Sequence, residues 1–231
     1  MKLLHLLSAG AAQGLVTQLE DRFERKFLCS IDASFGAVGM MKDSLLAGAP
    51  CDVLILTEAL ISQLSASGEL VAGSAQALGV VKTGVAVREG EPRPDVGSPA
   101  ALKGTLQAAR GIYFPDPVKA TAGIHFMKVL VQLGLDAELA DRLRPFPNGA
   151  TAMNALSEMA EPGLIGCTQV TEILNTPGVQ LIAPLPKEFE LATVYTAALC
   201  TRSAQPQAAR ELIALLASAE AAALRRACGF G

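Results

Sequence analysis

Apolar runs of about five residues alternate along this chain with longer amphipathic stretches, a β-α-β-α pattern. Leu3 to Leu7 reads as a short buried strand. After Ser8-Ala9-Gly10, the residues Leu15, Leu19, Phe23 and Phe27 recur at helical spacing among charges. Leu28 to Ser34 alternates as a second strand, and Ser34-Phe35-Gly36 is expected to open a helix through Met40, Met41, Leu45 and Leu46. Gly48-Ala49-Pro50 stops that helix, and Asp52 to Leu56 has the composition of a buried parallel strand. Thr57 is placed to cap a helix carrying Leu60, Ile61 and Leu64. Farther on, Ser98-Pro99 starts a helix, Gly111 to Phe114 is a strand, and Thr121-Ala122-Gly123 opens a helix that Gly134 ends. Leu164 to Cys167 and Val179 to Ala183 are further strands, and residues 205–228 form an Ala/Leu-rich helix or helix pair.

Two β-rich runs are longer than the rest, Val80 to Val87 and Leu191 to Cys200. We take them as crossovers between two lobes, with residues 1–82 and 194–231 in lobe 1 and residues 83–193 in lobe 2. The expected architecture is α/β: a two-lobed clamshell with two hinge crossovers. Open α/β sheets bind ligands beyond the carboxyl ends of their strands, so the polar turns of both lobes are expected to face one cleft.

Those turns are built from small residues: Ser8-Ala9-Gly10, Ser34-Phe35-Gly36, Thr121-Ala122-Gly123, and Cys167-Thr168-Gln169 at the last strand's end. A helix opening has unsatisfied N–H groups and partial positive charge, and small side chains let an anion approach them. The candidate ligand-binding residues are therefore Ser8, Ala9, Gly10, Ser34, Phe35, Gly36, Thr121, Ala122, Gly123 and Gln169. Each also has an ordinary reading. Serine before a helix is a common N-cap, Asp116-Pro117 is a common turn, and Gln169 can cap a helix. Met40 and Met41 read as core, His125 as a packed or surface residue, Lys42 and Lys119 as exposed, and Glu172 as a solvated helix residue.

Composition narrows the partners. The 231 residues are 51% hydrophobic, enough for one large domain or two small ones. A net charge of −3 points away from nucleic acid and from an anionic membrane surface. The absence of Trp argues against aromatic stacking platforms. Five dispersed cysteines without a C-x-x-C pair read as buried thiols of a reducing compartment, and two distant histidines make a metal site unexpected. No cofactor motif such as G-x-G-x-x-G is present. The Leu3 to Leu7 run is too short for a signal-peptide core, and no stretch is long enough to span a bilayer. A cytoplasmic protein is expected if Met1 is the native start, and a periplasmic one if a leader has been removed.

Ser8-Ala9-Gly10-Ala11, Ser34-Phe35-Gly36-Ala37-Val38-Gly39, Gly48-Ala49-Pro50-Cys51-Asp52-Val53 and Asp116-Pro117 with Thr121-Ala122-Gly123 together resemble the molybdate-binding proteins of ABC transporters, across essentially the whole chain. The resemblance implies a type II periplasmic-binding fold. It also implies hydroxyl donors at Ser8 and Ser34, a backbone N–H donor at Ala122, and an ABC transporter permease as partner if the protein is exported. Gln169 stands where that family commonly has a tyrosine. Gln169-Val170-Thr171-Glu172, Val179 to Pro186 and Thr193-Val194-Tyr195 also resemble the branch that contains aconitate isomerase, although Val118-Lys119-Ala120 replaces that branch's glycine pair. The resemblance implies a small-anion binder or, alternatively, an isomerase of unsaturated tricarboxylates with His125, Glu172 or Lys119 as candidate base.

Overall fold

The computed structural model describes residues 2–231. The chain forms two compact units, Met1–Val81 with Thr193–Gly231, and Lys82–Ala192. It passes between them twice, once inside strand β4 (Gln76–Arg88) and once at the start of β9 (Ala192–Leu199).

In unit 1, β1 (Lys2–Ala9), β2 (Cys29–Gly36) and β3 (Val53–Thr57) are parallel, and β9 pairs antiparallel with β3. Leu4, Leu6, Leu54 and Ile55 are fully buried, as strands covered on both faces require. Helix α1 (Gln13–Phe27) adds Leu15, Leu19 and Phe23 to this core at the expected spacing. The C-terminal helix α8 (Pro206–Ala217) adds Leu212, Ile213 and Leu216, and α9 (Ala222–Ala227) follows it.

In unit 2, β5 (Gly111–Pro115) lies between parallel partners β6 (Leu143–Phe146) and β7 (Leu164–Gln169). Strand β4 joins β7 and β8 (Val179–Pro184) in antiparallel pairs. The period of two along β5 divides the core between its faces. Ile112 and Phe114 pack with Leu102 and Leu106 of α4 (Pro99–Ala108) and with Phe126 and Val129 of α5 (Thr121–Leu133). Tyr113 packs on the other face with Met153 and Leu156 of α6 (Gly149–Glu158) and Ile173 of α7 (Val170–Leu174).

Several expectations need correction. Strand β2 runs on to Gly36, so Ser34-Phe35-Gly36 is strand, and α2 (Val38–Leu46) opens at Ala37. Ser8 likewise lies in β1, and neither serine is an N-cap. Leu28 is not in β2; it ends α1 in the left-handed conformation at φ 50°. Met40 and Leu46 are 39% and 52% exposed, so Val38, Met41 and Leu45 are the core face of α2. Thr57 occupies the cap position of α3 (Glu58–Ala66) without making a side-chain cap bond. Strand β6 and helix α6 have no counterpart in the sequence reading. In β6 a proline and an arginine interrupt the apolar pattern, which an edge strand tolerates.

Asp52, in the Gly48 to Val53 segment, is 1% exposed and ties three parts of unit 1 together. Its Oδ2 accepts the N–H of His5 in β1 at 2.8 Å. Its Oδ1 accepts the Ser203 hydroxyl at 2.6 Å and the Gln205 N–H at 2.8 Å, just before α8. Burial pushes this carboxyl upward. The bonds from Ser203, His5, Gln205 and Ala204 outweigh that push and hold it below its ordinary value.

Candidate functional site

The candidate residues of unit 1 gather at the carboxyl ends of its parallel strands. Register places Ser8 beside Phe35 and Ile55, and Ala9 beside Gly36. A single 3-10 turn, Gly10–Ala12, joins β1 to α1, with Ala9 at its cap position. The openings of this turn and of α2 have no side-chain cap and no acidic residue in the first turn. They therefore present backbone N–H groups alone.

The serines differ in placement. Ser8 is fully buried, and its hydroxyl donates to the Ala9 carbonyl at 2.9 Å. Ser34 is exposed on β2, on the side opposite Ala33 and Phe35, which pack against the core. Phe35 and Gly36 are thus closer to the α2 opening than the Ser34 side chain is. That opening, Ala37-Val38, carries no hydroxyl.

In unit 2, Asp116 turns the chain after β5. Its Oδ1 accepts the N–H groups of Val118 and Lys119 at 2.7 and 2.8 Å, which makes Asp116-Pro117 the expected turn. Helix α5 then opens at Thr121 with Ala120 as cap, again without a side-chain bond or an acid. Gly123 is required there for packing: a Cβ would strike the carbonyls of Pro115 and Asp116. Ala122 is buried in the same turn, while Thr121 is half-buried. Gln169 ends β7, two strands from β6 and beside β5, and is 3% exposed. It lies opposite Thr83 of β4, whose buried hydroxyl has no hydrogen-bond partner among the described residues. Thr83 was missed by the sequence reading because it sits inside a long strand with no turn signal.

Glu172 is not solvated. It is 7% exposed, and its Oε2 accepts the Thr168 hydroxyl at 2.5 Å. It also receives backbone bonds from Gln169, Gly149 and Ala150. Burial raises this carboxyl above its ordinary value, against the pull of those four donors. The carboxylate occupies the opening of α6, whose cap Asn148 also accepts the Thr151 N–H at 2.8 Å. Gly149 is obligatory, since a Cβ would overlap the Glu172 carboxylate and the Thr168 hydroxyl. His125 is half-buried, with Nε2 donating to the Phe189 carbonyl at 2.7 Å. Lys119 is exposed in the turn before α5, and Lys42 is half-buried in α2.

Among the described residues, no cluster of three or more His, Cys, Asp or Glu could hold a metal ion, and no helix is long and apolar enough to cross a membrane.

Comparison with known proteins gives a consistent result. The family described as bacterial extracellular solute-binding protein matches residues 4–231. Aconitate isomerase from a Pseudomonas species is 28% identical over 225 residues, covering 95% of this chain and 84% of that protein. The periplasmic molybdate-binding protein of Azotobacter vinelandii has a TM-score of 0.81 at 20% identity, over 99% of this chain and 98% of that one. A sulfate-binding protein from Mycobacterium tuberculosis has a TM-score of 0.78 at 14% identity, over 100% of this chain and 86% of that one. At such identities the likeness to solved structures is one of fold, that of the type II periplasmic-binding proteins.

Proposed function

Since the chain belongs to the bacterial extracellular solute-binding protein family, we propose that its solute is a small anion, either a tetrahedral oxyanion or a small di- or tricarboxylate. The candidate donors lie at the carboxyl ends of the parallel strands within each unit. The observation that carries this reading is the set of helix openings there: Ala9, Ala37 and Ala120 cap them without side-chain bonds, and no acid follows in the first turn. Backbone N–H groups left in this way suit an anion. Ser8, Ala122 and Gln169 are the residues proposed to contact it, with the ligand identity set by donor count and size. The family supports a role outside the cytoplasmic membrane, delivering the solute to an ABC permease.

The test is a thermal-shift screen with molybdate, tungstate, sulfate, citrate, cis-aconitate and trans-aconitate. At least one is expected to raise Tm in a saturable way. Ser8→Ala and Gln169→Ala are each expected to weaken that ligand about 5- to 150-fold while remaining folded, the loss of a buried polar partner costing about 1–3 kcal/mol. No stabilisation by any of the six would sink the reading.

A second reading rests on the 28% identity to aconitate isomerase over most of both chains. An allylic proton shift needs a base beside an acidified carbon and donors for the dienolate. Of the candidate bases, Glu172 is buried and accepts four donors, His125 is half-buried with Nε2 on the Phe189 carbonyl, and Lys119 is exposed. Loss of trans-aconitate ultraviolet absorbance on adding protein would carry this reading, and an unchanged trace would remove it.

A further inference from the structure

Cys51 and Cys200 are the first and last residues of a 149-position separation in sequence, yet their sulfurs lie 3.3 Å apart. The antiparallel pairing of β3 with β9 brings them together: Val53 faces Leu199, and Cys200 N–H donates to the Asp52 carbonyl at 3.0 Å. Both thiols are buried, at 8% and 2% exposure, but they line one side of a cavity of about 140 Å³ with Gly48, Pro50, Glu69 and Arg202. The cavity gives a small molecule a route to a pair that is otherwise enclosed. We propose that Cys51 and Cys200 are a site of oxidative modification, forming an intramolecular disulfide with a small-molecule disulfide as oxidant.

The order of events follows from the contacts. Cys200 donates its S–H toward Cys51, and the Cys51 S–H donates to the Val53 carbonyl at 3.2 Å. Cys51 is the more exposed of the two, so it is taken as the attacking group once its proton has passed to solvent. The bond to Cys51, together with burial, pushes the Cys200 thiol up. The Cys51 thiolate attacks one sulfur of the oxidant and expels the first thiol, leaving a mixed disulfide. Cys200 then loses its proton to solvent, and its sulfur displaces the second thiol to make the Cys51–Cys200 bond. The protein gives up two electrons and two protons, and the oxidant becomes two thiols. Sulfurs at 3.3 Å need to approach by about 1.3 Å to reach bonding distance.

The covalent consequence is specific. Unit 2, Lys82–Ala192, lies wholly inside the loop that this bond would close. Oxidation would therefore staple the two ends of unit 1 that flank the insertion, and a loop of this length restricts the unfolded chain strongly.

The experiment uses the full chain, incubated with oxidised glutathione, then denatured, alkylated and mapped by mass spectrometry. The expected result is a Cys51–Cys200 cross-linked peptide, with Cys29, Cys167 and Cys228 alkylated. Tm should rise by about 5–10 °C and return to its starting value after reduction. In Cys200→Ser, glutathione is expected to remain on Cys51 with no cross-link. Five alkylated cysteines in the oxidant-treated wild type, or a cross-link through any other cysteine, would overturn the proposal without recourse to a variant.

Discussion

Asp52→Asn is expected to be among the most damaging isosteric changes in unit 1. The substitution keeps the shape and one carbonyl oxygen, which can still accept from Ser203 and Gln205 in the Oδ1 position. The amide nitrogen then replaces Oδ2 and presents N–H to the His5 N–H, which now donates at 2.8 Å. A charge-assisted bond, about 1.5–3 kcal/mol, is lost, and a buried donor is left unsatisfied at about 1–3 kcal/mol. Not burying the charge returns part of this, so the net cost is about 2–4 kcal/mol. For a chain of this size that is a fall in Tm of about 5–15 °C. Guanidinium titration followed by far-UV circular dichroism measures it directly, as a shift in midpoint at unchanged slope. The sign of the pH effect is set by the lowered pKa. A depressed carboxyl stabilises the fold above its ordinary value of 3.8, and the contribution is lost as pH falls through the folded-state pKa. The gap between wild type and Asp52→Asn should therefore narrow in acid. A variant within about 0.5 kcal/mol of wild type at neutral pH, or a gap that widens on acidification, would refute the reasoning.

Gly149→Ala is expected to destabilise unit 2 by about 2–4 kcal/mol, since the new methyl displaces the Glu172 carboxylate and the Thr168 hydroxyl from each other; a midpoint unchanged in the same titration would remove the collision from the account. Leu28→Gly should stabilise the protein by about 0.5–1.5 kcal/mol, because Leu28 is 74% exposed and held at φ 50°, where a side chain gains little and costs backbone strain. Loss of stability in that variant would show that the leucine side chain contributes more than its exposure implies.

What could be read from the sequence follows the range of the interactions. Local signals were legible: the buried run of β3, the Ser98 cap that accepts the Ala101 N–H at 3.2 Å, and Gly134 ending α5 at φ 68°. These depend on residues at most a few positions apart. The end of β2 was misread because Phe35-Gly36 has turn composition, whereas pairing with Ser8 and Ala9 holds it in the sheet. Glu172 looked solvated because its partners Gly149 and Ala150 lie more than twenty residues upstream, in a helix that the sequence reading did not recognise. The contact of Cys51 with Cys200 needs the β3–β9 pairing, which no local pattern announces.

The candidate site is a set of helix openings more than a set of side chains, and the openings of this chain differ in how they are satisfied. Helix α4 satisfies its first N–H groups with Ser98, and α6 does so with Asn148 and with Glu172 brought in from α7. An external anion at either opening would have to displace a group already bound. The Gly10 turn, α2 and α5 begin after alanine, which satisfies nothing. In α6 the chain supplies its own carboxylate at the opening; at these three it supplies none. Positive potential from these N–H groups, with no acid in the first turn, is what the proposed anionic solute would use. The same reasoning ranks the substitutions: removing Ser8 or Gln169 side chains should alter affinity, whereas an acid placed at Ala37 or Ala120 would occupy the opening from within and compete with the solute outright.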